Sequence, residues 1–106
     1  MIKTMSVQEL KEKIDEGKSL FLLDVRQPSE REICKLEDEK NIPLDELEQR
    51  VHELDPNIET IVYCRSGGRS MQACQFLESQ GFTSVINLTG GVLAWSDDID
   101  PSMKKY

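Results

Sequence analysis

The residues with the clearest chemical potential in this chain are Cys64 and the loop that follows it. Cys64 ends a short apolar stretch, and two arginines, two glycines and two serines come within the next six positions. Residues 71–80 then have the composition of a helix that ends at Gly81. The thiolate is the nucleophilic form of cysteine, and a thiol beside a helix N-terminus ionises more readily because unpaired N–H groups face it. The segment predicts an activated cysteine.

Each residue type in the loop adds to that chemistry. The glycines permit positive φ angles, so that successive backbone N–H groups can turn inward around an anion. The arginines add fixed positive charge and can bind an oxyanion through two N–H groups at once. The serine hydroxyls are further donors. We therefore predict Cys64 as the catalytic nucleophile and the following residues as the substrate-binding loop: Arg65, Ser66, Gly67, Gly68, Arg69 and Ser70.

The length of the loop distinguishes between two thiolate chemistries. In cysteine phosphatases, five residues separate the nucleophile from the arginine that binds phosphate, whereas four separate Cys64 from Arg69. A tighter ring of N–H groups suits a persulfide, Cys–S–S⁻, better than a tetrahedral phosphate. A phosphatase or arsenate reductase is therefore the less favoured alternative. A purely structural cysteine, the common role of a thiol at a strand end, would need neither the glycines nor the arginines.

Strand-like and helix-like segments alternate along the chain, which predicts a parallel sheet covered by helices on both faces. A capping box at Ser6–Glu9 opens a first helix that is predicted to turn Leu10 and Ile14 inward. Apolar runs predict buried strands at residues 20–25, 60–63 and 84–88. Helices are predicted at residues 29–33, 45–54, 70–80 and 91–95, with a charged loop at 35–40. Cys64 then lies at the carboxyl end of a strand, where such sheets bind ligands.

The Cys64 loop and three further segments resemble the rhodanese (sulfurtransferase) superfamily. They are the Asp-Val-Arg segment Leu22–Glu30, the Asn-Ile-Pro-Leu segment Asn41–Leu44 and the Gly-Gly-x-x-x-Trp segment Asn87–Trp95. The resemblance covers essentially the whole chain and implies a three-layer α/β fold with a central, parallel, five-stranded sheet. It also implies a thiosulfate-type sulfurtransferase that forms a persulfide on Cys64 and needs no metal or organic cofactor.

One departure from the family pattern indicates a particular branch. The usual Gly-His-Ile-Pro-Gly-Ala turn is replaced by Cys34–Glu39, which has neither histidine nor glycine. This variant and the tail Ile99–Tyr106 resemble the C-terminal rhodanese domain of MoeB/MoeZ- and Uba4-type proteins. There the domain follows an adenylyltransferase, so this chain is expected to be an excised domain or a free-standing relative.

The resemblance also implies partners. The donor would be a small sulfur-containing anion, and the acceptor cyanide, a thiol or the activated carboxylate of a ubiquitin-like sulfur carrier. A cysteine desulfurase is a further candidate partner. A non-catalytic binding module with the rhodanese fold stays open as an alternative, although such relatives commonly lose the cysteine.

Length and composition agree with this interpretation. The 106 residues predict one domain, 1–106, with loose ends at about 1–4 and 101–106, and a monomer. The net charge of −7 argues against nucleic-acid and acidic-membrane partners. No apolar stretch resembles a membrane span or a signal peptide, so a cytoplasmic location is expected. Three cysteines and the single His52 lack the spacing of a disulfide framework or a zinc site.

Four other residues receive a predicted role. Cys74 is predicted to be a core thiol, because it lies on the apolar side of the helix behind the loop. Cys34 stands in a loop, where packing is its expected role and relay of sulfur to Cys64 the alternative. Asp24 and Arg26 are predicted to form a buried or half-buried ion pair that braces the loop.

Overall fold

The computed structural model describes residues 2–106, which form five strands and five helices. The strands are β1 (Lys3–Met5), β2 (Leu22–Asp24), β3 (Glu39–Asn41), β4 (Thr60–Tyr63) and β5 (Val85–Leu88). The helices are α1 (Val7–Asp15), α2 (Pro28–Ile33), α3 (Leu47–Arg50), α4 (Gly68–Ser79) and α5 (Gly91–Asp98). Short 3₁₀ turns at Leu44–Glu46 and Val51–Glu53 flank α3.

The strands form one parallel sheet in the order β1-β5-β4-β2-β3. β4 lies at the centre, where Ile61 is in register with Leu22 of β2 and with Ile86 of β5. Because all strands point the same way, their carboxyl ends meet at one edge of the sheet. The predicted five-stranded parallel α/β fold is confirmed.

Alternation along the strands builds two apolar layers, one on each face of the sheet. Leu23 and Val62 face the layer that also contains residues of α3 and α4, whereas Leu22 and Ile61 face the layer with residues of α1 and α5. Cys64 and Cys74 belong to the α3–α4 layer. The three-layer arrangement therefore follows from the two-residue period of the central strands.

The two edge strands lie in segments that were not predicted as strands. Residues 3–5, part of which was assigned to a loose end, form β1 and pair with β5. Glu39–Asn41, which overlaps the predicted charged loop, pairs with β2 as β3. Neither strand is an apolar run, because an edge strand has a neighbour on one side only and is partly solvated. Of the three β1 residues, Met5 alone is buried.

The helices follow the predictions in outline. The Ser6 capping box is present, and Leu10 is fully buried. Ile14 was wrongly predicted to face inward: its side chain is 42% exposed, beside a cavity of about 510 Å³ between α1, α5 and the segment after α2. The predicted helix 45–54 is divided into α3 and its two 3₁₀ turns. Within residues 2–106, none of the helices has the length and apolar character needed to cross a bilayer.

Candidate active site

Cys64 is the first residue after β4, and its side chain is buried beneath the loop that leads to α4. Gly67 is the N-cap of α4 and has a φ of 116°, a region that residues with a Cβ rarely adopt. This conformation directs the Gly67 backbone N–H toward Cys64, to whose Sγ it donates at 3.1 Å. Gly68 differs from the prediction, because it starts the helix without a positive φ.

Ser70 lies in the first turn of α4 and completes the polar surroundings of the thiol. Its Oγ accepts from the Cys64 thiol at 3.5 Å. The Gly67 carbonyl at 3.1 Å and Oδ1 of Asn87, a β5 residue, are alternative acceptors for its single hydroxyl hydrogen, which can instead donate to the Cys64 thiolate. Nδ2 of Asn87 donates to the Gly67 carbonyl at 3.4 Å. Asn87 was not predicted to contribute to the site, although it begins one of the segments that resemble the family.

The polar contacts outweigh the effect of burial on the thiol. Burial is the largest single influence and by itself raises the pKa of Cys64. The Ser70 hydroxyl and the backbone N–H groups of Ser70, Gly67 and Ser66 act in the opposite direction, and the net result is a lowered pKa. The loop therefore favours the thiolate in a site that is almost closed to water.

Helix α5 fixes the loop from the other side. Its backbone N–H groups at Val92 and Leu93 donate to the carbonyls of Cys64 and Arg65, at 3.1 and 3.0 Å. Gly91 has a φ of 56°, and a Cβ there would lie 2.6 Å from the Arg65 oxygen. The second glycine of the Gly-Gly-x-x-x-Trp segment is thus required by this close approach.

The two loop arginines are bound to other parts of the chain. Arg69 forms a two-pronged ion pair with Glu30 of α2, at 2.7 and 2.8 Å. This pair lowers the pKa of Glu30 to about 2 and raises that of Arg69. Arg65 donates from Nε to the main-chain oxygen of Tyr106 at 2.8 Å. Both arginines were predicted to bind substrate, whereas Glu30 and Tyr106 were not predicted to be near the loop.

The same network reaches the centre of the sheet. Arg26 and Asp24 are fully buried, and Nη2 of Arg26 donates to Oδ2 of Asp24 at 2.9 Å. Arg26 also donates from Nη1 to the hydroxyl of Tyr106 at 2.9 Å, and that hydroxyl donates to Glu30 at 2.8 Å. The predicted buried pair is confirmed, and it continues through Tyr106 and Glu30 to the loop.

The comparisons with known proteins agree with this geometry. Residues 6–98 match the family described as the Rhodanese-like domain. This chain is a rhodanese-like domain. A rhodanese-like domain protein from Staphylococcus aureus has the same fold, with a TM-score of 0.85 and 30% identity over 92% of this chain and 95% of that one.

Relatives of this rhodanese domain differ in length. The putative sulfurtransferase YtwF of Bacillus subtilis is 37% identical over 94% of this chain and 96% of its own length. The chloroplastic Rhodanese-like/PpiC domain-containing protein 12 of Arabidopsis thaliana is 41% identical, but the chain spans only 38% of it. The probable adenylyltransferase/sulfurtransferase MoeZ of Mycobacterium tuberculosis is 30% identical, and the chain spans 27% of it. The resemblance to the MoeZ-type branch is confirmed as sequence similarity.

The other two cysteines of the rhodanese domain lie in different surroundings. Cys74 is fully buried, as predicted, and burial raises its pKa to about 12. Cys34 is half-buried after α2, where its Sγ is 3.9 Å from Nη1 of Arg26. No group of three or more His, Cys, Asp or Glu in the part of the chain that the structure describes is placed to hold a metal ion.

Proposed function

We propose that this rhodanese domain is a sulfurtransferase in which Cys64 accepts a sulfane sulfur and holds it as a persulfide. The observation that carries the proposal is the position of Cys64 Sγ beneath the Gly67 N–H and the Ser70 hydroxyl, which together with the other loop N–H groups lower its pKa. Similarity to YtwF, which is described as a putative sulfurtransferase, supports the same general role.

The first half of the reaction loads the enzyme. The Cys64 thiolate attacks the outer sulfur of a donor such as thiosulfate, a new S–S bond forms, and the donor's own S–S bond breaks. The leaving group, sulfite in the case of thiosulfate, departs with the electron pair of that bond. The enzyme is left as Cys64–S–S⁻, with its negative charge on the outer sulfur.

The second half transfers the outer sulfur to an acceptor. The backbone N–H groups of Ser66, Gly67 and Ser70, which favour the thiolate in the resting site, face the persulfide in the same way. Cyanide or a thiol attacks the outer sulfur, the S–S bond breaks, and the Cys64 thiolate leaves with the electron pair. With the activated carboxylate of a ubiquitin-like carrier, the outer sulfur is instead the nucleophile: it attacks the carbonyl carbon, and the activating group departs. Two thiol equivalents then reduce the resulting acyl disulfide, which releases the carrier thiocarboxylate and the Cys64 thiolate. Similarity to the putative sulfur carrier protein YrkF of Bacillus subtilis, which is 39% identical over 90% of this chain and 51% of its own length, supports a role in a sulfur-carrier pathway. We propose that the domain acts there as a monomer in the cytoplasm.

Mass spectrometry after incubation with a sulfur donor tests the proposal. Wild-type protein should gain one sulfur atom that maps to Cys64 and is removed by cyanide. Cys64→Ser should gain none, whereas the matched variant Cys34→Ser should behave like wild type. A sulfur adduct on Cys34 in the Cys64→Ser protein would identify a different nucleophile. Unchanged wild-type mass would favour the non-catalytic binding module.

A further inference from the structure

Both arginines of the loop already use a forked pair of N–H donors within the chain. Arg69 directs its two Nη groups to the two carboxylate oxygens of Glu30, at 2.7 and 2.8 Å. Arg65 directs Nε and Nη2 to the main-chain oxygen of Tyr106. These forks are the geometry in which a guanidinium binds an oxyanion. An incoming oxyanion would therefore compete with Glu30 at one arginine and with the C-terminal segment at the other.

Tyr106 joins the two arginine contacts into one unit. Its ring centroid is 5.1 Å from the Arg65 guanidinium carbon and 5.9 Å from that of Arg26. Its hydroxyl accepts from Arg26 at 2.9 Å and donates to Glu30 at 2.8 Å. Arg26 is in turn anchored to Asp24, and both are fully buried. Releasing either loop arginine would disturb a network that extends to the sheet.

Because Arg65 and Arg69 are already occupied, the reaction of Cys64 should be hindered to a different extent with two classes of sulfur donor. When the Cys64 thiolate attacks thiosulfate, the leaving group is sulfite, a dianion whose oxygens require guanidinium-type donors. When it attacks an alkyl persulfide, R–S–SH, the new Cys64–S bond forms, the R–S bond to the outer sulfur breaks, and a singly charged thiolate leaves. The outer sulfur of either donor meets the same backbone N–H groups. Only thiosulfate needs the occupied arginines.

We propose that Tyr106 and Glu30 are specificity-determining residues that make alkyl persulfides, rather than thiosulfate, the preferred donors of this site. They do so by occupying the oxyanion-binding forks of Arg65 and Arg69. The inference rests on the proposed function, because it concerns the donor from which Cys64 takes sulfur.

Steady-state sulfur transfer with two donors, thiosulfate and glutathione persulfide, tests the inference. Wild type should show a kcat/KM for glutathione persulfide about tenfold or more above that for thiosulfate. Tyr106→Ala, which removes the ring and the hydroxyl that anchor the tail, and Glu30→Gln, which removes the charge facing Arg69, should each lower the KM for thiosulfate. The ratio between the two donors should shift about fivefold or more toward thiosulfate. Lys104→Ala, an exposed tail substitution, is the matched control and should leave the ratio unchanged.

The ratio separates this inference from general damage, because a folding defect lowers transfer from both donors alike. Equal use of the two donors by wild type, or an unchanged ratio in both variants, would overturn the inference and leave the proposed function standing. If neither thiosulfate nor glutathione persulfide loaded Cys64 in wild type, the inference and the proposed function would both be overturned.

Discussion

Cys64 and Cys74 are two thiols of the same apolar layer with opposite properties. Cys64 lies before α4 and Cys74 lies within it. Both residues are almost completely buried, at 1% and 0% exposed. Yet the pKa of Cys64 is lowered, whereas burial raises that of Cys74 to about 12. Burial therefore does not decide which thiol is reactive.

The difference lies in the hydrogen-bond donors that each sulfur meets. Cys64 lies before the helix. The backbone N–H of the N-cap Gly67 has no carbonyl partner within the helix and donates to Cys64 Sγ at 3.1 Å. Cys74 lies in the second turn, where backbone N–H groups are bound to carbonyls of the preceding turn. A thiol at a helix N-terminus thus obtains the donors that a thiol inside the same helix lacks.

Removing the Ser70 hydroxyl should have the largest effect on the difference in pKa between Cys64 and Cys74. In Ser70→Ala, the pKa of Cys64 should rise, and the thiolate fraction at neutral pH should fall, because a higher pKa leaves a smaller ionised fraction at a given pH. We expect alkylation of Cys64 by iodoacetamide at pH 7 to slow about tenfold, since a hydrogen bond to a charged group contributes about 1.5 kcal/mol. Mass spectrometry of the Cys64 peptide over time measures the rate.

Ser79→Ala is the matched control for that experiment. Ser79 is exposed at the other end of α4, where its hydroxyl donates to the Phe76 carbonyl, and its loss should leave Cys64 alkylation unchanged. Equal rates in wild type and Ser70→Ala would mean that the backbone N–H groups alone determine the state of the thiol.

Substitution of the loop glycines should separate conformation from composition. Gly67→Ala places a Cβ at a φ of 116° and should lower the free energy of unfolding by about 1–2 kcal/mol. Gly68→Ala meets no atom within 4 Å and has no positive φ, so it should change stability by less than about 1 kcal/mol. Urea unfolding of the two variants checks this order. A larger loss in Gly68→Ala would contradict the assigned roles.

Features set by neighbouring residues were predictable from the sequence. The Ser6–Glu9 capping box is local, and its helix forms as expected. Cys64 was placed between a strand and a helix because apolar residues precede it and glycines follow it. The central strands β2, β4 and β5 are apolar because both faces are covered, so their composition reveals them.

Features that depend on contacts between distant residues were not predictable from the sequence. β3 contains Glu39, Lys40 and Asn41, and its strand conformation follows from pairing with β2 rather than from its composition. Tyr106 and Glu30 are 76 positions apart, and no local pattern places them together or beside the loop arginines. The sequence therefore predicted the thiol and its N–H groups, but not the partners of Arg65 and Arg69.

The pH titration of thiolate absorbance in two variants, each with one remaining cysteine, tests the central claim most directly. The Cys34→Ser/Cys74→Ala protein, which retains Cys64, should titrate below the value of about 8.5 typical of a free thiol. The Cys34→Ser/Cys64→Ser protein, which retains Cys74, should titrate well above that value while it remains folded, because burial, the largest influence on the pKa of Cys74, is unchanged. Titration of Cys64 at or above the free-thiol value would contradict the claim that the loop donors outweigh burial.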